Sequence, residues 1–144
     1  MKNAKLLLGL FAAAAIFSSC SGDDDAGSST SAPLEGKWFY SKSGIAASGQ
    51  EVLLDYDEHQ SGCSKDYVEF VAGGVFNDVD YYTSECAFTN DASTWTRSGN
   101  TITIGTGANA EIATIVVLDN STLKITSTDE EMPGAQFVSV YTRQ

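Results

Sequence analysis

From residue 36 onward, apolar and polar residues alternate in short runs, each ended by Gly, Asn, Asp or Ser. A period of two with almost no helical periodicity predicts strands. Residues 36–41 (GKWFYS) open the series, and 51–56 read either as a second strand or as a short turn of helix. Residues 66–70 (DYVEF) and 75–82 (VFNDVDYY) flank Val71-Ala72-Gly73-Gly74, a plain hairpin turn. Residues 94–96 lead through Ser98-Gly99-Asn100 into 101–104, and 112–118 turn at Asp119-Asn120-Ser121 into 123–126. Residues 137–143 close the chain. About eight consecutive antiparallel strands with no helix must hide two sheet edges, and an up-and-down barrel does so. The expected fold is therefore all-β, a single antiparallel barrel.

The same alternation assigns faces. Ile102 and Ile104 oppose Thr101 and Thr103, and Leu123 and Ile125 oppose Thr122, Lys124 and Thr126. Phe137 and Tyr141 point one way, Val138 and Val140 the other. Val75, Val79 and Tyr81 share a face with Asn77, which leaves Asp78 and Asp80 expected toward solvent. Residues 112–118 are apolar on both faces except at Thr114, as a central or outwardly covered strand would be.

The first 33 residues have a different character. Lys2 and Lys5 precede an apolar run over 6–17, and Phe17-Ser18-Ser19-Cys20 places small residues before a cysteine. This is the order of a secretion signal. It resembles the lipobox of bacterial lipoproteins, with Phe17 where Leu is usual, and implies that Cys20 becomes an acylated N-terminus. The block Asp23-Asp24-Asp25 resembles the export signal of surface-displayed lipoproteins of some Gram-negative bacteria. Residues 26–33 are mostly Gly, Ser, Thr and Ala and bury too little to offset their ordering entropy. As a flexible tether they reach about 20 Å. The expected organisation is signal peptide 1–19, tether 20–33 and barrel 34–144. The expected location is the outer membrane, lipid-anchored and facing outward.

Composition narrows the function. The formal net charge is −11, and removal of residues 1–19 takes two lysines with it. Such a field repels phosphate backbones, so no nucleic-acid partner is expected. About 110 residues remain for one domain, expected to be monomeric. Cys63 and Cys86 are left after Cys20. In an oxidising compartment such a pair predicts a disulfide across the open end of the 66–82 hairpin. A metal thiolate pair would need further ligands, which His59 alone does not supply.

Gly36-Lys37-Trp38 resembles the Gly-x-Trp signature of the first lipocalin strand. The order Leu34-Glu35-Gly36-Lys37-Trp38, then 63–70 (CSKDYVEF), Gly74-Val75-Phe76, Cys86, Trp95 and 99–104 (GNTITI) is similar to the small bacterial lipocalin-like domain family, over about residues 34–143. The resemblance implies a compact barrel in which a basic residue of the last strand covers Trp38: Arg143, with Arg97 competing. It implies ligand binding only weakly. The domain is shorter than ligand-carrying lipocalins, and eight strands either fill with side chains or hold one small ligand.

Catalytic patterns are thin. Gly105-Thr106-Gly107-Ala108-Asn109-Ala110 matches G-x-G-x-x-A, but a strand follows where that motif needs a helix, so it reads as a loop. His59 lies in a polar stretch with no G-x-S-x-G in the chain and reads as a solvated loop residue. Asp55, Asp57, Glu58 and His59 match no EF-hand spacing. No enzyme, cofactor or metal site is expected. The reading is a binding module for a small apolar, neutral ligand walled by aromatics such as Tyr67, Tyr81, Tyr82 and Tyr141. The alternative is a filled barrel that acts as a structural or interaction module.

Overall fold

The computed structural model describes residues 30–128 and 132–144. Cys20 and the acidic block after it, and with them the expected lipid anchor, lie outside the described residues. Among the described residues nine strands follow in order: β1 (Gly36–Ala47), β2 (Gln50–Asp55), β3 (Tyr67–Val71), β4 (Val75–Tyr81), β5 (Phe88–Ser98), β6 (Thr101–Ile104), β7 (Glu111–Leu118), β8 (Thr122–Thr128) and β9 (Ala135–Thr142). Each of β3 to β8 pairs with the next, β1 pairs with β3, and β9 returns to β1. The ring is thus a closed eight-stranded antiparallel barrel, with β2 attached to β1 as a ninth strand outside it.

β1 is long enough to serve three neighbours. Gly36 to Phe39 pair with β3, while Lys42 to Ala47 pair with both β9 and β2. Ser41 is the extra residue of a bulge between Tyr40 and Lys42, and bulges of this kind bend a strand and re-aim its side chains. The β1–β2 turn places Ser48 and Gly49 at φ 53° and 76°. Two positive φ values in a two-residue loop are the type I′ geometry that suits hairpin twist. β2 then coils across the barrel's outer wall. Glu51 meets Lys124 of β8 at 2.7 Å, although three ladder steps separate β2 from β8 and would span about 14 Å in a flat sheet. Gly44 permits the crossing, since a Cβ there would run into the Val52 carbonyl oxygen.

The core fills one end. Trp38, Val68, Phe70, Phe76, Ile102, Ile115, Leu118, Leu123 and Tyr141 point inward from the ring, with Leu34 beneath them. Fully burying each large side chain contributes about 1.5–3 kcal/mol. The indole of Trp38 donates to the Leu34 carbonyl at 2.8 Å. Arg143 lies 3.9 Å from the indole centroid and donates to the Pro33 and Glu35 carbonyls. Gly36, beside that guanidinium, sits at φ 116°, a backbone conformation that side chains rarely adopt. Arg97 instead binds the carbonyls of Gly99 and Thr30, so Arg143 is the residue over Trp38.

Residues 30–33, expected within the flexible tether, lie against this end: Thr30 bridges Leu118, and the Ala32 amide donates to its carbonyl. Their backbone groups find partners there, which composition alone does not foretell.

Candidate functional site

The other end of the barrel is built differently. In register, Phe76 and Asp78 of β4 face Ser93 and Asp91 of β5, and Asp80 faces Thr89. Phe76 is a core residue, so the parity of the strand turns Asp78 and Asp80 inward. Val75, Val79 and Tyr81 turn outward. This reverses the sequence expectation: the inner face is dry only in the lower half, and the face that looked dry is external. Val79 is nonetheless 3% exposed, on the outer surface where Phe39 and Tyr67 of the adjoining strand make an edge contact.

Tyr40 is the hinge between the two halves. Two residues after Trp38 on the same strand face, its ring turns inward, 5.0 Å from Tyr141 and stacked at 4.9 Å on Tyr56. Its hydroxyl donates to Asp78 at 2.9 Å. Burial, then the neighbouring Tyr141 and Asp78, hold the Tyr40 phenol well above its ordinary range. Burial pushes Tyr141 up to about 12, against a hydrogen bond with Ser139. The Asp78 carboxyl is also raised. Burial is the largest cause, the Tyr40 hydrogen bond opposes it, and Asp91, Asp80 and Glu111 add repulsion. Glu111 stands on β7, opposite Ile104, so these four acids come from three strands around one mouth.

A loop closes the side of this mouth. Asp66, 0% exposed, anchors it. Its carboxylate accepts from the Tyr81 amide at 2.8 Å and the Tyr56 hydroxyl at 3.1 Å. Its own amide donates to His59 Nδ1 at 3.1 Å, and His59 Nε2 donates to the Tyr40 carbonyl at 3.0 Å. Those two bonds require the proton on Nε2. Nδ1 is then an acceptor, so its 3.3 Å approach to the Asp66 carboxylate is not an ion pair. His59 is a satisfied structural residue, not the solvated one its polar neighbours suggested. The Cys63–Cys86 disulfide, with Cα atoms 5.4 Å apart, ties this loop to the one after β4 and clamps the open end of the β3–β4 hairpin as expected.

The result is an open cleft of about 300 Å³ lined by Tyr40, Tyr56, Glu58, Asp78, Asp80, Thr89 and Asp91. It offers aromatic faces beside a carboxylate cluster, with no nucleophile–base pair. Among the described residues no three His, Cys, Asp or Glu side chains gather as a metal site requires. Of the aromatic residues expected to wall a site, only Tyr141 points inward. Tyr67 and Tyr81 are external by register, and Tyr82 is exposed beyond the end of β4. Tyr40, Tyr56 and Asp91 line the cleft without belonging to that expected set. The signal for Tyr40 is its place two residues after Trp38 on one strand face.

Comparison with known proteins agrees with this architecture. A family model described as a lipocalin-like domain matches residues 34–125, more than half of the chain. A lipocalin-like protein from Bacteroides uniformis is similar in structure, with TM-score 0.52 and 15% identity over 77% of this chain and 98% of that one. An uncharacterized protein from Bacteroides eggerthii gives 0.51 at 10% identity, over 77% and 100% of the two chains. No curated protein matches. The family model spans the barrel from Leu34, below Trp38, to Ile125 in β8, and the chain belongs to the lipocalin-like domain family.

Proposed function

We propose that this protein is a non-catalytic binding module that holds one small amphipathic molecule at the open end of its barrel, while an acylated Cys20 tethers it to the outer membrane. The cleft of about 300 Å³ beside Tyr40 and Tyr56 carries the first half of this reading. Aromatic walls suit an apolar body. Asp78, Asp80, Asp91 and Glu111 repel an anionic head group and suit a neutral or protonated-amine one. The packed end under Trp38 and Arg143 makes the mouth the route of entry. The second half rests on residues 1–25, with their basic start, apolar run, small residues before Cys20 and acidic block.

The test uses three probes with the same tail: octylamine, 1-octanol and octanoate. Each is titrated by thermal shift and intrinsic Trp fluorescence. The expected order of affinity is amine, then alcohol, then carboxylate. At a hundredfold excess over Kd a single site stabilises by ~2.7 kcal/mol. No shift with any probe favours the alternative, a filled interaction module, for which the fully packed lower half already speaks.

A further inference from the structure

β2 is the one strand among the described residues that bonds to a single neighbour, β1, so its other edge is unpaired along its whole length. The type I′ turn at Ser48-Gly49 makes Ala47 and Gln50 a hydrogen-bonded pair. By alternation, Gln50, Val52 and Leu54 spend their amides and carbonyls on β1. Those of Glu51, Leu53 and Asp55 point away from it. The Tyr56 amide returns to the Ser41 carbonyl, consistent with that parity.

Edges are usually blunted by charge or cover. Here the charges at both ends are already engaged, Glu51 with Lys124 and Asp55 with Lys42, each at 2.7 Å. On the opposite face Val52 and Leu54 stand 65% and 69% exposed, and Ile45, opposite Val52, continues the apolar row. Below them an open cleft of about 480 Å³ is lined by Ser43, Leu54, Asp55, Tyr56, Asp57 and Glu58. Asp57 and Glu58 make no salt bridge among the described residues.

We propose that this edge is a strand-addition site for an extended segment of another protein in which basic and apolar residues alternate. Backbone bonds to Glu51, Leu53 and Asp55 supply register, and alternate side chains meet distinct surfaces. The partner's apolar side chains cover Val52 and Leu54, and a basic residue reaches Asp57 and Glu58. Charge complementarity selects this partner over a second copy, because two chains of net charge −11 repel.

The probe is the acetylated, amidated heptapeptide Lys-Val-Lys-Val-Lys-Val-Lys, with its Glu-for-Lys counterpart as control. Amide exchange is read by NMR on the whole labelled protein. The Lys peptide should slow exchange at Glu51, Leu53 and Asp55 at least tenfold and leave Gln50, Val52 and Leu54 unchanged. The double substitution Val52→Lys, Leu54→Lys should abolish the effect without changing the melting temperature. No slowing, or equal slowing by the Glu peptide, overturns the proposal. Slowing that grows with protein concentration alone assigns the edge to a second copy. Protection at every dilution without peptide assigns it to the chain's own remaining segments. Either result overturns the proposal as well.

Discussion

Replacing Asp78 by Asn should make the protein more stable at neutral pH. The side chain keeps its shape, and its amide oxygen still accepts from the Tyr40 hydroxyl, which lies 2.9 Å from the carboxylate. Two effects nearly offset. Losing the charge weakens that bond by about 1 kcal/mol, the difference between a charge-assisted and a neutral hydrogen bond. Removing the like charge opposite Asp91 returns about 0.2–1 kcal/mol. Burial of the carboxylate, the largest cause of its raised pKa, decides the sign in favour of Asn. Asp78 is only part-buried and solvent screens it, so the gain should be about 0.5–1 kcal/mol. The pH dependence follows from linkage. A carboxyl with a raised folded pKa holds its proton more tightly when folded. The stability this gives is complete below about 3.9, the ordinary Asp value, and is lost as pH rises through the folded value. Urea unfolding of both proteins at pH 3 and pH 7.5 should therefore show the Asn advantage only at pH 7.5. An advantage of equal size at pH 3, or a less stable variant at pH 7.5, refutes the reasoning.

Arg143→Ala should cost at least the 0.5–2 kcal/mol of guanidinium–indole stacking, and Trp38 emission should shift to the red; an unchanged melting temperature and spectrum would count against the cap. Replacing Cys63 and Cys86 by Ser opens a link between positions 23 apart in sequence, which the chain-entropy relation values at ~3.4 kcal/mol; urea midpoints of the two forms measure the loss. Gly44→Ala should destabilise by about 1–3 kcal/mol through overpacking against Val52, read from the same curves, and a neutral result would mean that β2 can lift away. Cys20→Ser should move the protein from the detergent phase to the aqueous phase and remove its fatty-acid label, since stable anchoring needs acyl chains at ~0.8 kcal/mol per buried CH₂.

Much of the ring was legible because its lower half obeys simple alternation. Ile102 and Ile104, Leu123 and Ile125, and Tyr141 face the core as their spacing implies, whereas Phe137, on the face of Tyr141, is 39% exposed and Val138, on the other face, is buried. The Gly73-Gly74, Ser98-Gly99-Asn100 and Asp119-Asn120-Ser121 turns fall where the composition puts them. The upper half was hidden by the same rule. Asp78, Asp80, Asp91 and Ser93 face a wet interior, so polarity pointed the wrong way for β4. Eight polar positions in FTNDASTWTRS left only Thr94 to Thr96 recognisable in β5, although the strand runs from Phe88 to Ser98. The second half of β1 was lost for a different reason: SKSGIAA is rich in small residues and carries little amphipathic signal. Tyr56, His59 and Asp66 reach Tyr40 through a loop, which has no period. The docking of residues 30–33 depends on the shape of the barrel end.

The closing ladder between β1 and β9 has a kinetic consequence. It joins Phe39 to Thr142 and Ala47 to Ala135, pairs about a hundred residues apart. Apart from the β1–β3 ladder, whose partners lie 28 (Phe39 and Tyr67) to 34 (Gly36 and Phe70) positions apart, every other ring contact joins consecutive strands, so β3 to β9 can zip as successive hairpins, while the closing ladder must wait for the final strand. Loop-closure entropy is lost before that ladder returns any bonds. Folding should be slow, with a transition state already rich in β3–β8 pairing and β1–β9 absent. A nascent chain still lacking β9 remains an open sheet with two bare edges. Loss of Arg143 alone leaves β9 (Ala135–Thr142) and the closing ladder in place and weakens the barrel, whereas a truncation that removes β9 should yield an aggregating ribbon.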